Sequence, residues 1–198
     1  MDELGRAIRE RRQRKGWTLQ KLASLTDLSV SFLSQVERGL SSLSIVSLHT
    51  VCEALDLDAS RLLSEGRVPT RKTGGAPIVP HADQLFIRIA SSPVTYRYLS
   101  GDFPDRQIEA LVNEFPPDYH YPPATHAGEE FGYVLEGRLV LHIEGEGFPL
   151  GPGDSYHFQA TRLHGYETSP EEGARVLVAS TQKFLDWHSQ VRTGRRSA

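Results

Sequence analysis

Residues 17–39 read WTLQKLASLTDLSVSFLSQVERG, and residues 125–137 read THAGEEFGYVLEG. In the first stretch apolar residues return every three or four positions. Leu19, Leu22, Ala23 and Leu25 form one such set, and Val30, Leu33 and Val36 another. That spacing predicts two short helices. Thr18 stands in the N-cap position of the first, a polar turn follows, and Gly39 stops the second after Arg38 in the C′ position. The second stretch lies in a part of the chain where the period is two.

Working outward, Leu4, Ala7 and Ile8 begin a preceding helix that Gly16 ends. Ser44 caps a fourth helix, with Ile45, Leu48, Val51, Cys52 and Leu55 on one face, and a last turn is expected over Ala59–Leu63. Residues 64–80 hold three prolines and three glycines with no period, which predicts a linker. Strands are expected at 84–90, 94–99, 107–115, 130–135, 138–143, 154–158, 164–168 and 175–181, separated by Gly- and Pro-rich turns. Many short strands at this spacing predict an antiparallel sandwich or barrel. A short closing helix is expected at 183–188. The expected division is a helical domain at 1–65, a linker at 66–80, an all-β domain at 81–189 and a basic tail at 190–198. There are no internal repeats.

At 198 residues the chain fits one domain or two small ones. No apolar run approaches the ~20 residues needed to span a bilayer, and the N-terminus lacks the pattern of a signal peptide. Cys52 is the only cysteine, so there is neither a disulfide framework nor a cysteine zinc cage. A cytoplasmic setting is expected. The net charge of −3 hides an asymmetry. Residues 1–40 carry eight Lys/Arg against five Asp/Glu, whereas residues 81–189 carry seven against sixteen. A basic front and an acidic body point to different partners for the two halves. Six of the eight histidines lie between His120 and His188.

The segment Trp17–Gly39, with Ala23, the triplet Val30, Leu33 and Val36, and the Glu37-Arg38-Gly39 ending, resembles the helix-turn-helix of the Cro and lambda-repressor-like (XRE) family. The resemblance covers about residues 4–63. It implies that the helix from Ser29 to Arg38 enters the major groove while the preceding helix crosses the backbone. Ser29, Ser31, Ser34, Gln35 and Arg38 then face outward for bases or phosphates. Thr18 and Gln20, at the start of the preceding helix, are placed against phosphates. Phe32 also faces outward, to meet a thymine methyl or the next module. Such modules act as dimers on half-sites about one helical turn apart, so a homodimer on double-stranded DNA is expected.

Thr125–Gly137 and Gly151–His164 resemble the two cupin motifs, which implies a double-stranded β-helix (jelly-roll) barrel with its site between two sheets. The family pattern places ligands at His126, Glu130 and His164, and its first histidine falls on Ala124. Two histidines and one carboxylate suit non-heme iron(II) or catalytic-type zinc and leave positions open. These residues also suit hydrogen bonds to an organic ligand in a metal-free pocket. Arg97, His120 and Tyr133 are further candidates for ligand contact. Two functions follow. One is a transcription regulator whose cupin senses a small-molecule effector. The other is a non-heme iron(II) cupin enzyme of the hydroxypropylphosphonate epoxidase kind. The Arg-rich first helix and the polar face of 29–38 favour the regulator.

Overall fold

A computed structural model describes residues 3–57, 63–64, 77–89, 92–101, 103–121 and 123–182. The chain begins with four helices: α1 (Glu3–Arg14), α2 (Leu19–Thr26), α3 (Val30–Arg38) and α4 (Ile45–Leu55). Each of the last three starts at a hydroxyl cap. Thr18 accepts from the Lys21 N–H, Ser29 from Phe32 and Ser44 from Ser47, satisfying donors that the first turn leaves open. Asp27, Gly39 and Asp56 end these helices in the left-handed conformation. Leu4, Ile8, Leu22, Leu33, Val36, Leu48, Val51 and Leu55 fill the core between the helices.

At the centre of this bundle lies an ion pair. The Arg12 guanidinium donates to both carboxylate oxygens of Glu37, at 2.5 and 2.8 Å, and to the Trp17 carbonyl at 2.7 Å. It joins α1 to α3, and both residues are buried. Two details differ from expectation. Val30, expected on the inner face of α3, is exposed, and Glu37, paired with Arg12, is buried instead. Phe32 is only half-buried and packs against the core rather than facing outward. The basic face of α1 is also partly internal. Arg11 donates to the Leu55 carbonyl at 2.8 Å, and Lys15 pairs with Asp56 at 2.5 Å while lying over the Trp17 ring.

Among the described residues ten strands follow: β1 (Leu63–Ser64), β2 (Leu85–Ile89), β3 (Thr95–Tyr98), β4 (Glu109–Phe115), β5 (Glu129–Gly137), β6 (Leu139–Ile143), β7 (Glu146–Leu150), β8 (Ser155–Gln159), β9 (His164–Glu167) and β10 (Ala174–Ser180). They form a seven-stranded sheet in the order β1-β2-β3-β4-β10-β5-β8 and a three-stranded sheet in the order β7-β6-β9. Every pairing is antiparallel. Burial alternates along β2, β5, β8 and β10, so one face of the large sheet meets the small one. Aromatic contacts between Phe115 and Tyr166 and between Tyr156 and Tyr166 join the two layers.

Leu63, expected in the closing turn of the helical module, and Ser64, expected to begin the linker, instead pair with Ile89 and Arg88 at the edge of the large sheet. The strand β7 was not expected, because Gly147 and Pro149 break the period and the strand is largely exposed at an edge. Glu144 and Gly145, both at positive φ, turn the chain from β6 into it. The turn at 59–62, the linker core at 65–76 and the closing helix at 183–188 lie outside the described residues.

Replacing Glu37 with Ala strands the Arg12 charge in the bundle. The expected loss is ~3–5 kcal/mol of unfolding free energy by urea denaturation. Glu10→Ala, which removes the exposed pair with Arg14, is expected to cost ~1 kcal/mol or less. Equal losses would contradict the assignment.

Candidate functional site

The strand β5 puts Glu130, Gly132 and Val134 on the inner face and Glu129, Phe131, Tyr133 and Leu135 on the outer one. Just before it, the chain bends at Ala127 and Gly128. Gly128 takes φ +84°, and a side chain there would strike the Thr181 hydroxyl. The bend carries His126 back over Glu130, and the His126 N–H is tied to the Ala160 carbonyl at 2.9 Å. The strand β9 supplies His164. His126 Nε2 lies 3.1 Å from Glu130 Oε2, and His164 Nε2 lies 3.9 Å from the same oxygen. One ligand atom from each of the three lies within 4.8 Å of the others, and all three residues are buried.

The proton positions follow from the partners. His126 Nδ1 is 3.0 Å from the Ala127 carbonyl, and His164 Nδ1 is 2.8 Å from that of Arg162. A carbonyl only accepts, so both Nδ1 atoms carry protons and both Nε2 atoms face the carboxylate. This is the orientation that outer hydrogen bonds impose on metal-ligating histidines. Burial depresses the His164 pKa against the pull of Glu130. Burial pushes the Glu130 carboxyl up. The His126 hydrogen bond, the His164 charge and the Tyr166 hydroxyl outweigh burial and hold it below its ordinary value. Two nitrogen donors and one anionic oxygen converging in a buried space fit a divalent cation.

Two tyrosines complete the cluster. Tyr166 donates to Glu130 Oε1, and Tyr156 donates to the same oxygen at 3.2 Å; their hydroxyls are 2.8 Å apart. Burial, with the Glu130 charge, keeps both phenols protonated well above the usual tyrosine range. They hold Oε1, so Oε2 is the oxygen turned to the histidines. Neither was expected at the site. Tyr166 was legible, since it follows His164 by two and shares its face. Tyr156 was less so. Its ring occupies the space that Gly132 leaves: a Cβ at Gly132 would lie 2.1 Å from Tyr156 Cζ. Thr168, where the cupin pattern has asparagine, is buried and braces the wall. It accepts from the Tyr119 N–H at 3.0 Å and donates to the Pro116 carbonyl at 2.7 Å.

The structure brings His126, Glu130 and His164 together but not the other ligand candidates. Tyr133 is exposed on the outer face. Arg97 also faces outward, over the Phe86 ring and beside His81 and Glu114. His120 is exposed, 3.7 Å from Glu167. Strand parity turns Arg97 and Tyr133 away from the barrel interior.

In the helical unit, Ser31 and Gln35 are exposed one turn apart on α3, and Arg38 and Gln20 are exposed as well. Arg38 Nε donates to the Ser34 carbonyl at 3.1 Å, and Ser34 is half-buried. The Thr18 and Ser29 hydroxyls are engaged as caps, and Ser29 Oγ lies 3.1 Å from Ser31 Oγ.

Comparison with known proteins agrees with both halves. A helix-turn-helix domain matches residues 3–63, and a cupin domain matches residues 111–180. The chain thus joins a helix-turn-helix domain to a cupin domain. It is 28% identical over 178 residues to the HTH-type transcriptional regulator PuuR of Escherichia coli K12, covering 89% of this chain and 94% of the relative. It is 26% identical to the HTH-type transcriptional regulator SutR of the same strain, covering 85% and 89%. A solved HTH_3 family transcriptional regulator from Vibrio cholerae shares the fold, with 20% identity, a TM-score of 0.51, and coverage of 91% and 96%. These two sequence relatives, which match along most of the chain, are both transcriptional regulators rather than enzymes. Among the described residues no helix is long and apolar enough to cross a membrane.

Gly132→Ala is expected to displace the Tyr156 ring and cost ~1–3 kcal/mol of stability in chemical denaturation. An unchanged midpoint would show that Tyr156 is not packed as described.

Proposed function

We propose that this helix-turn-helix cupin regulator binds a DNA operator as a homodimer, and that its cupin senses a small-molecule effector through a divalent cation at His126, Glu130 and His164. The observation that carries the sensor reading is the pair of Nε2 atoms turned on Glu130 Oε2 in a buried space. When bound, the cation would supply open coordination positions for effector donor atoms. The chain's own residues orient the ligands: Ala127 and Arg162 through their carbonyls, Tyr156 and Tyr166 through Glu130 Oε1. Zinc and iron both suit this donor set.

On the DNA side, Ser31 and Gln35 are the residues placed to read bases, Gln35 having the bidentate capacity that suits adenine. Arg38 and Gln20 are placed for phosphates. Ser34 is half-buried and contributes through its backbone to holding Arg38. The Thr18 and Ser29 hydroxyls serve DNA indirectly, by fixing the N-termini of α2 and α3, whose N–H groups are available to phosphate oxygens. Arg11, Arg12 and Lys15 are committed within the fold, so phosphate contacts per subunit are few and the salt dependence is moderate. Such a regulator acts with the chromosome in the cytoplasm.

Gln35→Ala is expected to weaken binding to a selected operator by ~1–3 kcal/mol in a fluorescence anisotropy titration, with cobalt(II) binding unchanged. His126→Ala is expected to abolish the cobalt(II) absorption bands of the triad while leaving metal-free DNA affinity as it was. A Gln35→Ala protein with wild-type DNA affinity would overturn the placement of α3. A His126→Ala protein with wild-type cobalt bands would overturn the metal reading.

A further inference from the structure

The stretch from Tyr121 to His126 touches both the triad and the helical unit. Its backbone pairs with β9. The Tyr121 N–H donates to the Tyr166 carbonyl at 2.8 Å, and Ala124 and His164 exchange bonds of 2.9 and 3.0 Å. Its last residue, His126, is a triad member. Its first, Tyr121, reaches the other way. The Tyr121 hydroxyl donates to Ser44 Oγ and lies 3.3 Å from Ser47 Oγ. Ser44 is the N-cap of α4, and its Oγ accepts from the Ser47 N–H. The Tyr121 ring packs beside Tyr166, centroids 6.4 Å apart, and Tyr166 donates to Glu130.

A second contact leaves the same stretch. Thr125, next to His126, donates to Asp27 Oδ2 at 3.2 Å. Asp27 is the left-handed residue that ends α2, two positions before the Ser29 cap of α3. One short strap thus holds a triad histidine, the N-terminus of α4 and the turn of the helix-turn-helix.

We propose that this strap couples the cupin site to the DNA-reading unit. When His126, Glu130 and His164 share a cation, His126 at the end of the strap and His164 on its pairing strand are fixed to one point. The strap then stiffens, and Tyr121 and Thr125 tighten their hold on α4 and on the α2–α3 turn. A site fixed in this way shifts the population of docked arrangements because the loaded site favours the tightly held one. The inference rests on the reading of the triad as a metal site.

The test is amide hydrogen exchange of the full chain, metal-free and loaded with cobalt(II), with loading followed by the cobalt absorption bands. Loading is expected to slow exchange at Ser44–Leu48 and Asp27–Phe32. Tyr121→Phe keeps the ring and removes the hydroxyl. It is expected to keep the cobalt bands and lose the slowing at Ser44–Leu48. Thr125→Val is expected to lose it at Asp27–Phe32 alone. Cobalt bands with unchanged exchange at both stretches would overturn the coupling and leave the metal site standing. So would a Tyr121→Phe protein that responds as the wild type does. Absence of cobalt bands in the wild type would overturn the metal reading, and the coupling with it.

Discussion

A carboxylate in an apolar interior is costly unless every oxygen is held, and Glu130 is held on both. Two phenols take one oxygen and two imidazoles face the other. Much of the cupin half follows from this requirement. The glycine at 132 makes room for Tyr156, the bend at Gly128 brings His126 back, and β9 carries His164 and Tyr166 on one face. The histidines in turn have their outer nitrogens fixed by carbonyls, so the cluster has little freedom to relax. That rigidity suits the cluster to the cation site proposed for it.

The helical half rests on a parallel device. Arg12 and Glu37 form a buried, bidentate pair that fixes α1 against α3. Breaking such a pair is far more costly than never having built it, so it fixes how α3 is presented beside α1. The two halves are not merely tethered. Ser44, Ser47 and Asp27 on one side meet Tyr121 and Thr125 on the other.

Where two signals coincided, the sequence was legible. Hydroxyl caps at Thr18 and Ser44 together with a 3.6-residue period located α2 and α4, the same period with the Gly39 stop located α3 to within a residue, and alternation located eight of the strands of the two sheets. The triad was legible because the cupin pattern fixes its spacing, although His126 and Glu130 meet only through the Gly128 bend. Long-range partners were hidden. Arg12 reads as one more basic residue because its partner, Glu37, lies on another helix. Arg97 and Tyr133 had the right chemistry for a ligand, but strand parity faces them outward. The edge strand β7 has no buried face, so it imposed no alternation on its residues. The contacts of Tyr121 with α4 join residues more than 70 positions apart, and no local pattern announces them.

The central claim is that this chain reads DNA under the control of a small-molecule site. Selection of bound fragments from sheared genomic DNA of the source organism, followed by footprinting at two salt concentrations, tests it most directly. The account predicts protection of two half-sites about one helical turn apart, with affinity that falls as salt rises. Failure to enrich any specific fragment, with or without added metal ion and metabolite extract, would contradict it.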